Sequence, residues 1–134
     1  MLQTLKKYWG YDSFRPKQEE IITSALNGRD TLAILPTGGG KSVCFQVPAM
    51  MKEGICIVVS PLIALMKDQI ENLKSRGIMA LTIHSGMSYR EIDYTLDNAA
   101  YGDFKFLYVS PERLRTELFR VRAAKMNVNY LVVD

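Results

Sequence analysis

The sequence predicts an α/β fold: a three-layer parallel sheet with helices on both faces. Three observations point there. Five short apolar runs recur at intervals of roughly two dozen residues, rich in β-branched and aromatic side chains and without polar alternation, as strands buried on both faces are. Amphipathic helical patterns fill the gaps between them. A strand–helix–strand rhythm of this kind specifies parallel pairing through right-handed crossovers.

Each element follows in order. The stretch "LQTLKKYWGYDSFRPKQEEIITSAL" reads as two helices split by a loop at "GYDSFRP", with Pro16 suited to a first helical turn. The predicted strands are "TLAIL" at 31–35, "ICIVV" at 55–59, "MALTI" at 79–83, "KFLYV" at 105–109 and "NYLVV" at 129–133. Between them, Leu62, Leu65, Met66, Ile70 and Leu73 share one helical face. Ile92, Leu96, Ala99 and Ala100 share a second, and Leu114, Leu118 and Val121 a third. The units share a rhythm and not a sequence, so there is no internal repeat.

Bulk properties narrow the function classes. The 134 residues are 48% hydrophobic and 23% charged, ordinary for a globular domain. A net charge of +3 permits an anionic partner without demanding one. The two cysteines, Cys44 and Cys56, sit in apolar surroundings and read as buried thiols, not a disulfide framework. "MLQTLKKYWG" lacks the apolar core of a secretory signal, and no run approaches the roughly 20 residues of a membrane helix. A cytoplasmic location is expected.

"LPTGGGKS" at 35–42 carries the chemistry. Thr37, Gly38, Gly39 and Gly40 lie between a predicted strand and a predicted helix. Glycines there let backbone N–H groups turn toward phosphate oxygens, and the helix adds its positive end. Lys41 would reach the β- and γ-phosphates, and the Ser42 hydroxyl would ligate Mg2+. Leu35 stands where the strict P-loop pattern has glycine, so this is a variant. A P-loop needs a second acidic group at a strand end to hold the ion. "YLVVD" supplies Asp134, and ATP with Mg2+ are the expected cofactors.

Together, "WGYDSFRPKQEEII", "LPTGGGKS", "VVSPLIALMKDQ" and "LYVSPERL" resemble, in order and spacing, the RecQ family of superfamily 2 DNA helicases, from Leu5 to Asp134. Trp9 replaces the family's usual phenylalanine. The resemblance implies a RecA-like P-loop fold and ATP-driven 3′→5′ translocation on single-stranded DNA with unwinding of duplex. It implies that Tyr11 and Arg15 sandwich adenine while Gln18 reads its edge. Stacking planes and a donor–acceptor amide suit that task. Taken alone, Tyr11 reads as a packed loop aromatic and Gln18 as a solvated helix residue. Lys41 and Asp134 would be the catalytic pair, and Ser42 and Asp134 the metal ligands.

"VVSPLIAL" and "YVSPERL" each run strand, Ser, Pro, helix, so that the serine can N-cap and the proline can open the helix. On the residues alone this is capping. The resemblance assigns Ser60, Pro61, Leu62 and Lys67, and Ser110, Pro111, Glu112 and Arg113, to single-stranded DNA. His84, in "HSG" at the end of the third predicted strand, is expected beside the same groove and not as a metal ligand. "ERLRTELFRVRAAK" reads as a solvated face, its arginines interleaved with Glu112 and Glu117.

The expected organisation is 1–28 as N-terminal helices with the adenine motif and 29–134 as an incomplete P-loop core. The resemblance implies a glutamate after Asp134, a later strand between the 31–35 and 129–133 strands, and a second motor domain. The chain is therefore expected to be a fragment, inactive alone. A nucleotide-binding or interaction module without motor activity is the alternative; "FRPKQEEII" disfavours an RNA helicase.

Overall fold

The protein is described by a computed structural model covering residues 1–36 and 40–134, so Thr37, Gly38 and Gly39 lie outside the described residues. Two compact units divide it, Met1–Lys52 and Glu53–Asp134.

The first unit is helical: α1 (Leu2–Trp9), α2 (Gln18–Leu26) and α3 (Lys41–Met51). α1 buries Leu5 and Trp9 and ends at Gly10, whose N–H returns to the Leu5 and Lys6 carbonyls. α3 packs on both α1 and α2 and buries Cys44, Val47 and Ala49. Pro16 does not open α2 as expected. Arg15 N–H donates to Gln18 Oε1 at 2.8 Å and Gln18 N–H donates to the Arg15 carbonyl, so a closed turn holds Pro16 ahead of the helix. Lys17, at φ 71°, then becomes the N-cap.

The predicted strand at 31–35 does not form; residues 31–36 are neither helix nor strand. β propensity marks a side chain's fit to a pleated surface, and a strand exists only when paired. No described strand pairs with this segment. Thr31 Oγ1 instead donates to the Arg29 carbonyl at 2.9 Å, and Leu32 and Ile34 are left exposed.

The second unit contains β1 (Ile55–Val59), α4 (Ile63–Ser75), β2 (Ala80–Ile83), α5 (Tyr89–Tyr101), β3 (Phe106–Val109), a 3-10 helix (Pro111–Arg115), α6 (Glu117–Ala123) and β4 (Val128–Val133). The four strands are parallel, in the order β2-β3-β1-β4. β1 and β3 are buried along their whole length, as their continuous apolar sequences require. β4 is the edge next to β1, and none of its residues is buried.

Alternation decides which helix covers which face. Ile55, Ile57 and Val59 of β1, with Leu107 and Val109 of β3, join Ile92, Leu96 and Ala99 of α5 and Phe119 of α6 in one core. The opposite face carries Tyr108, whose hydroxyl reaches Gln69 of α4. Helices therefore flank the sheet on both sides. α5 starts cleanly because Ser88 and Glu91 form a capping box, and its buried stripe runs Ile92, Thr95, Leu96, Ala99.

Two helix starts in this unit also depart from expectation. α4 begins at Ile63, not at Pro61, because Leu62 N–H donates to Ser60 Oγ at 3.3 Å and the serine closes a turn across the proline. Pro111 does open its helix, but the Ser110 side chain does not cap it. The predicted helical face Leu114–Leu118–Val121 is divided at Thr116. Thr116 Oγ1 donates to the Arg113 carbonyl at 2.8 Å and accepts the Phe119 N–H at 3.3 Å, ending one helix and capping the next. The register shift leaves Val121 half exposed and buries Phe119 instead.

Candidate nucleotide and nucleic-acid site

In the first unit, the described end of the glycine-rich turn is Gly40, the N-cap of α3, at φ 77°. Lys41 and Ser42 occupy the first helical turn, Lys41 exposed and Ser42 half-buried. Among the described residues no side chain caps this helix and no acid stands in its first turn. Its leading N–H groups and positive end thus keep their capacity for an anion.

Gln18 braces this turn. It is 4% exposed, and its Nε2 donates to the Gly40 carbonyl at 3.0 Å while its Oε1 accepts from Arg15 N–H. A Cβ at Gly40 would lie 2.3 Å from Gln18 Nε2. Glycine is favoured here by φ, and a side chain would also have to displace the Gln18 amide from its hydrogen bond. Cys44 Sγ also donates to the Gly40 carbonyl at 3.7 Å, and burial raises the Cys44 thiol pKa, partly offset by its backbone hydrogen bond. Tyr11 and Arg15 lie exposed in the loop before α2. The Gln18 amide keeps one N–H and one lone pair beyond these bonds.

In the second unit, register aligns the candidate residues. Ile83 pairs with Val109, Val109 with Val59, and Val59 with Val133. The next residue of each strand is His84, Ser110, Ser60 and Asp134 respectively, in that order along one carboxyl edge. The ladder continues into them: Ser110 N–H donates to the Ile83 carbonyl, Ser60 N–H to Val109 and Asp134 N–H to Val59. Ligands of open parallel sheets bind at this edge.

Local chemistry differs along the edge. α4, like α3, has neither a side-chain cap nor an acid in its first turn. Pro61, Leu62 and Lys67 are exposed there. At the 3-10 helix, the Glu112 backbone N–H holds its own carboxyl below the usual range, with smaller help from the Arg113 charge. Pro111 is exposed and Arg113 half-buried. Gly86 N–H donates to His84 Nδ1 at 3.1 Å, which leaves Nε2 as the ring's donor. Asp134 accepts from Gln69 Nε2.

Among the described residues no group of three His, Cys, Asp or Glu could hold a metal by itself. Mg2+ does not need one. It keeps several waters and takes phosphate oxygens alongside one or two protein ligands, and a serine hydroxyl or a single carboxylate is a donor of the kind it takes. No helix of the described residues is long and apolar enough to cross a membrane.

Residues 15–134 match the family model for the DEAD/DEAH box helicase. The chain belongs to that helicase family. Within that family, this chain is RecQ-like. It is 41% identical over 133 residues to the ATP-dependent DNA helicase RecQ of Haemophilus influenzae, covering 99% of this chain and 22% of that protein. It is 47% identical over 115 residues to the enzyme of the same name from Synechocystis sp., covering 86% of this chain and 24% of that protein. It is 42% identical over 135 residues to the ATP-dependent DNA helicase Q-like 5 of Arabidopsis thaliana, covering 100% of this chain and 15% of that protein. The helicase chain thus spans about a quarter or less of these relatives.

Two structural features near the expected site escaped the sequence reading. One is the bracing of Gly40 by Gln18. The other is Gln69, a polar amide at helical spacing between buried Met66 and Leu73. A hydrophilic residue on a buried stripe is the signal that could have marked it.

Proposed function

We propose that this chain is the ATP-binding part of the first motor domain of a RecQ-like DNA helicase, which couples ATP hydrolysis to 3′→5′ translocation on single-stranded DNA and to duplex unwinding. The observation that carries the reading is the start of α3, uncapped and free of acids among the described residues, with Gly40, Lys41 and Ser42 at that helix end. An anion at that end meets free N–H groups, the helix dipole and a lysine. Residues 1–28 would supply the adenine contacts through Tyr11, Arg15 and Gln18, and residues 29–134 the phosphate and DNA contacts.

Ser42 and Asp134 would hold Mg2+, which when bound neutralises charge developing on the transferred phosphoryl group. Lys41 would orient the β- and γ-phosphates. The carboxyl edge, from His84 through Ser110–Arg113 and Ser60–Leu62 to Asp134, would follow the DNA backbone without regard to sequence. A cytoplasmic setting follows from this role. The 134 residues by themselves are expected not to turn over ATP.

The test is DNA-stimulated ATP hydrolysis and strand separation by the full-length protein. Lys41→Ala should lower hydrolysis by about 10²–10³ while leaving the fold intact. Hydrolysis unaffected by Lys41→Ala would refute the reading. ATP binding with no DNA-stimulated hydrolysis in the wild-type protein would favour a binding module.

A further inference from the structure

We propose that Gln69 is a positioning residue for the Asp134 carboxylate, the middle of a relay Tyr108–Gln69–Asp134 that fixes which oxygen the carboxylate offers to Mg2+. The proposal rests on the reading of Asp134 as the metal carboxylate.

Two hydrogen bonds build the relay. The Tyr108 hydroxyl donates to Gln69 Oε1 at 2.6 Å, and Gln69 Nε2 donates to Asp134 Oδ2 at 3.3 Å. Chemistry fixes the direction. An ionised carboxylate only accepts, so the amide nitrogen must face it. The amide oxygen then faces the tyrosine, which has an O–H to give. Each contact therefore orients the other.

The relay is anchored from inside the fold. Tyr108 lies in β3, a fully buried strand, and is 1% exposed. Gln69 is held on α4 between buried Met66 and Leu73. Asp134, by contrast, is exposed at the end of an edge strand, where an unheld carboxylate would rotate freely. With Oδ2 engaged by Gln69, Oδ1 is the oxygen left for an ion. Hydrogen-bond partners of this kind raise metal affinity by fixing the ligand's orientation. Both anchors also lead directly into the edge: β3 runs into Ser110, and α4 follows the Ser60–Pro61–Leu62 turn. A shift in either segment would reach the carboxylate through Gln69.

The experiment measures equilibrium affinity of the full-length protein for a fluorescent ADP analogue, with Mg2+ and with a chelator. Gln69→Leu should bind normally without the ion and lose roughly 10-fold of the Mg2+-dependent gain. Gln69→Glu, which presents an acceptor and a charge to Asp134, should lose more. Tyr108→Phe removes one oxygen and should cause a smaller loss in the same direction; it decides the matter if Gln69→Leu does not fold. Asp134→Ala separates the two ideas. If it abolishes the Mg2+-dependent gain while Gln69→Leu and Tyr108→Phe leave that gain intact, the relay is overturned and the site reading stands. If Asp134→Ala itself has no effect, the site reading fails and takes the relay with it.

Discussion

Gln18 donates a hydrogen bond to the Gly40 carbonyl at 3.0 Å, tying α2 to the residue that opens α3. The contact spans 22 positions of sequence and joins the expected adenine motif to the turn expected to hold phosphates. A residue expected to read the base is also a strut of the turn that would hold the phosphates.

Gly40→Ala is therefore expected to damage both order and binding. The added Cβ meets the Gln18 amide and must sit at a left-handed φ. Strain of that kind costs about 1–3 kcal/mol. Thermal unfolding of the full-length protein should report a lower Tm, and nucleotide titration a weaker Kd. Unchanged values would mean that the Gln18–Gly40 contact yields at no cost.

Gln18→Ala separates bracing from base reading. The amide retains one donor and one acceptor position that match adenine's N6 and N7, whereas guanine presents two acceptors there. The variant should lose affinity for ATP and also lose preference for ATP over GTP. Equal losses for both nucleotides in competition binding would leave bracing as its whole role.

The sequence made much of this legible, and where it failed the reasons are physical. Strands β1 to β4 were readable because continuous apolar runs have few other uses in a parallel sheet. The 31–35 segment has the same composition and is not a strand, because pairing is a property of two segments and not one. Pro16 and Pro61 were expected to open helices; a backbone N–H donating to the Gln18 side chain in one case and to the Ser60 side chain in the other closes a turn first. Both bonds are local, spanning three residues and two, and depend on which way a polar side chain turns, which apolar periodicity does not encode. The strand-end alignment of His84, Ser110, Ser60 and Asp134 was only half legible. Each motif was visible alone, but the register that sets them in one row was not.

Arg122 is expected to be a stability residue and not a DNA contact. It bonds Asp93 and, at 2.5 Å, Asp97, which stand four apart on one face of α5. It thereby fastens α6 to α5. The groups are partly exposed, so Arg122→Ala should cost about 1 kcal/mol. A double-mutant cycle with Asp93→Ala should show coupling, and single-stranded DNA affinity should not change. A flattened salt dependence of DNA binding in Arg122→Ala would contradict this assignment.

Cys56 should be chemically silent in the folded protein. It is fully buried in β1, and burial pushes its thiol up to about 12, with Lys105 opposing only weakly. A raised pKa in an acid means that the folded state holds the proton more tightly than the unfolded state. The contribution to stability is present below the unfolded thiol's pKa and is lost as pH climbs from there toward about 12. Alkylation at pH 8 should therefore proceed only through unfolding, and stability should fall on the alkaline side. Cys56→Ala should flatten that fall; rapid alkylation of native Cys56 would show that the strand opens locally.

The 134-residue chain by itself should self-associate, and β4 is where. Its pairing to β1 uses one edge, and no described strand pairs with the other. Leu131 is 66% exposed and Val133 81% exposed on this strand. An apolar open edge is a template for another strand, and natural proteins blunt such edges with charge. β4 carries no charged residue between Val128 and Val133. Separately, Leu32 and Ile34 in the unpaired 31–36 segment are 88% and 81% exposed and add apolar surface. Light scattering on the isolated chain should report species larger than a monomer, growing with concentration. Leu131→Lys together with Val133→Lys should return it toward monomer with helical content unchanged. Leu32→Lys and Ile34→Lys test the other patch. If that pair disperses the chain and the β4 pair does not, association runs through the 31–36 segment and not through the sheet edge. A monodisperse wild-type monomer with slow amide exchange along β4 would show that the edge is already satisfied.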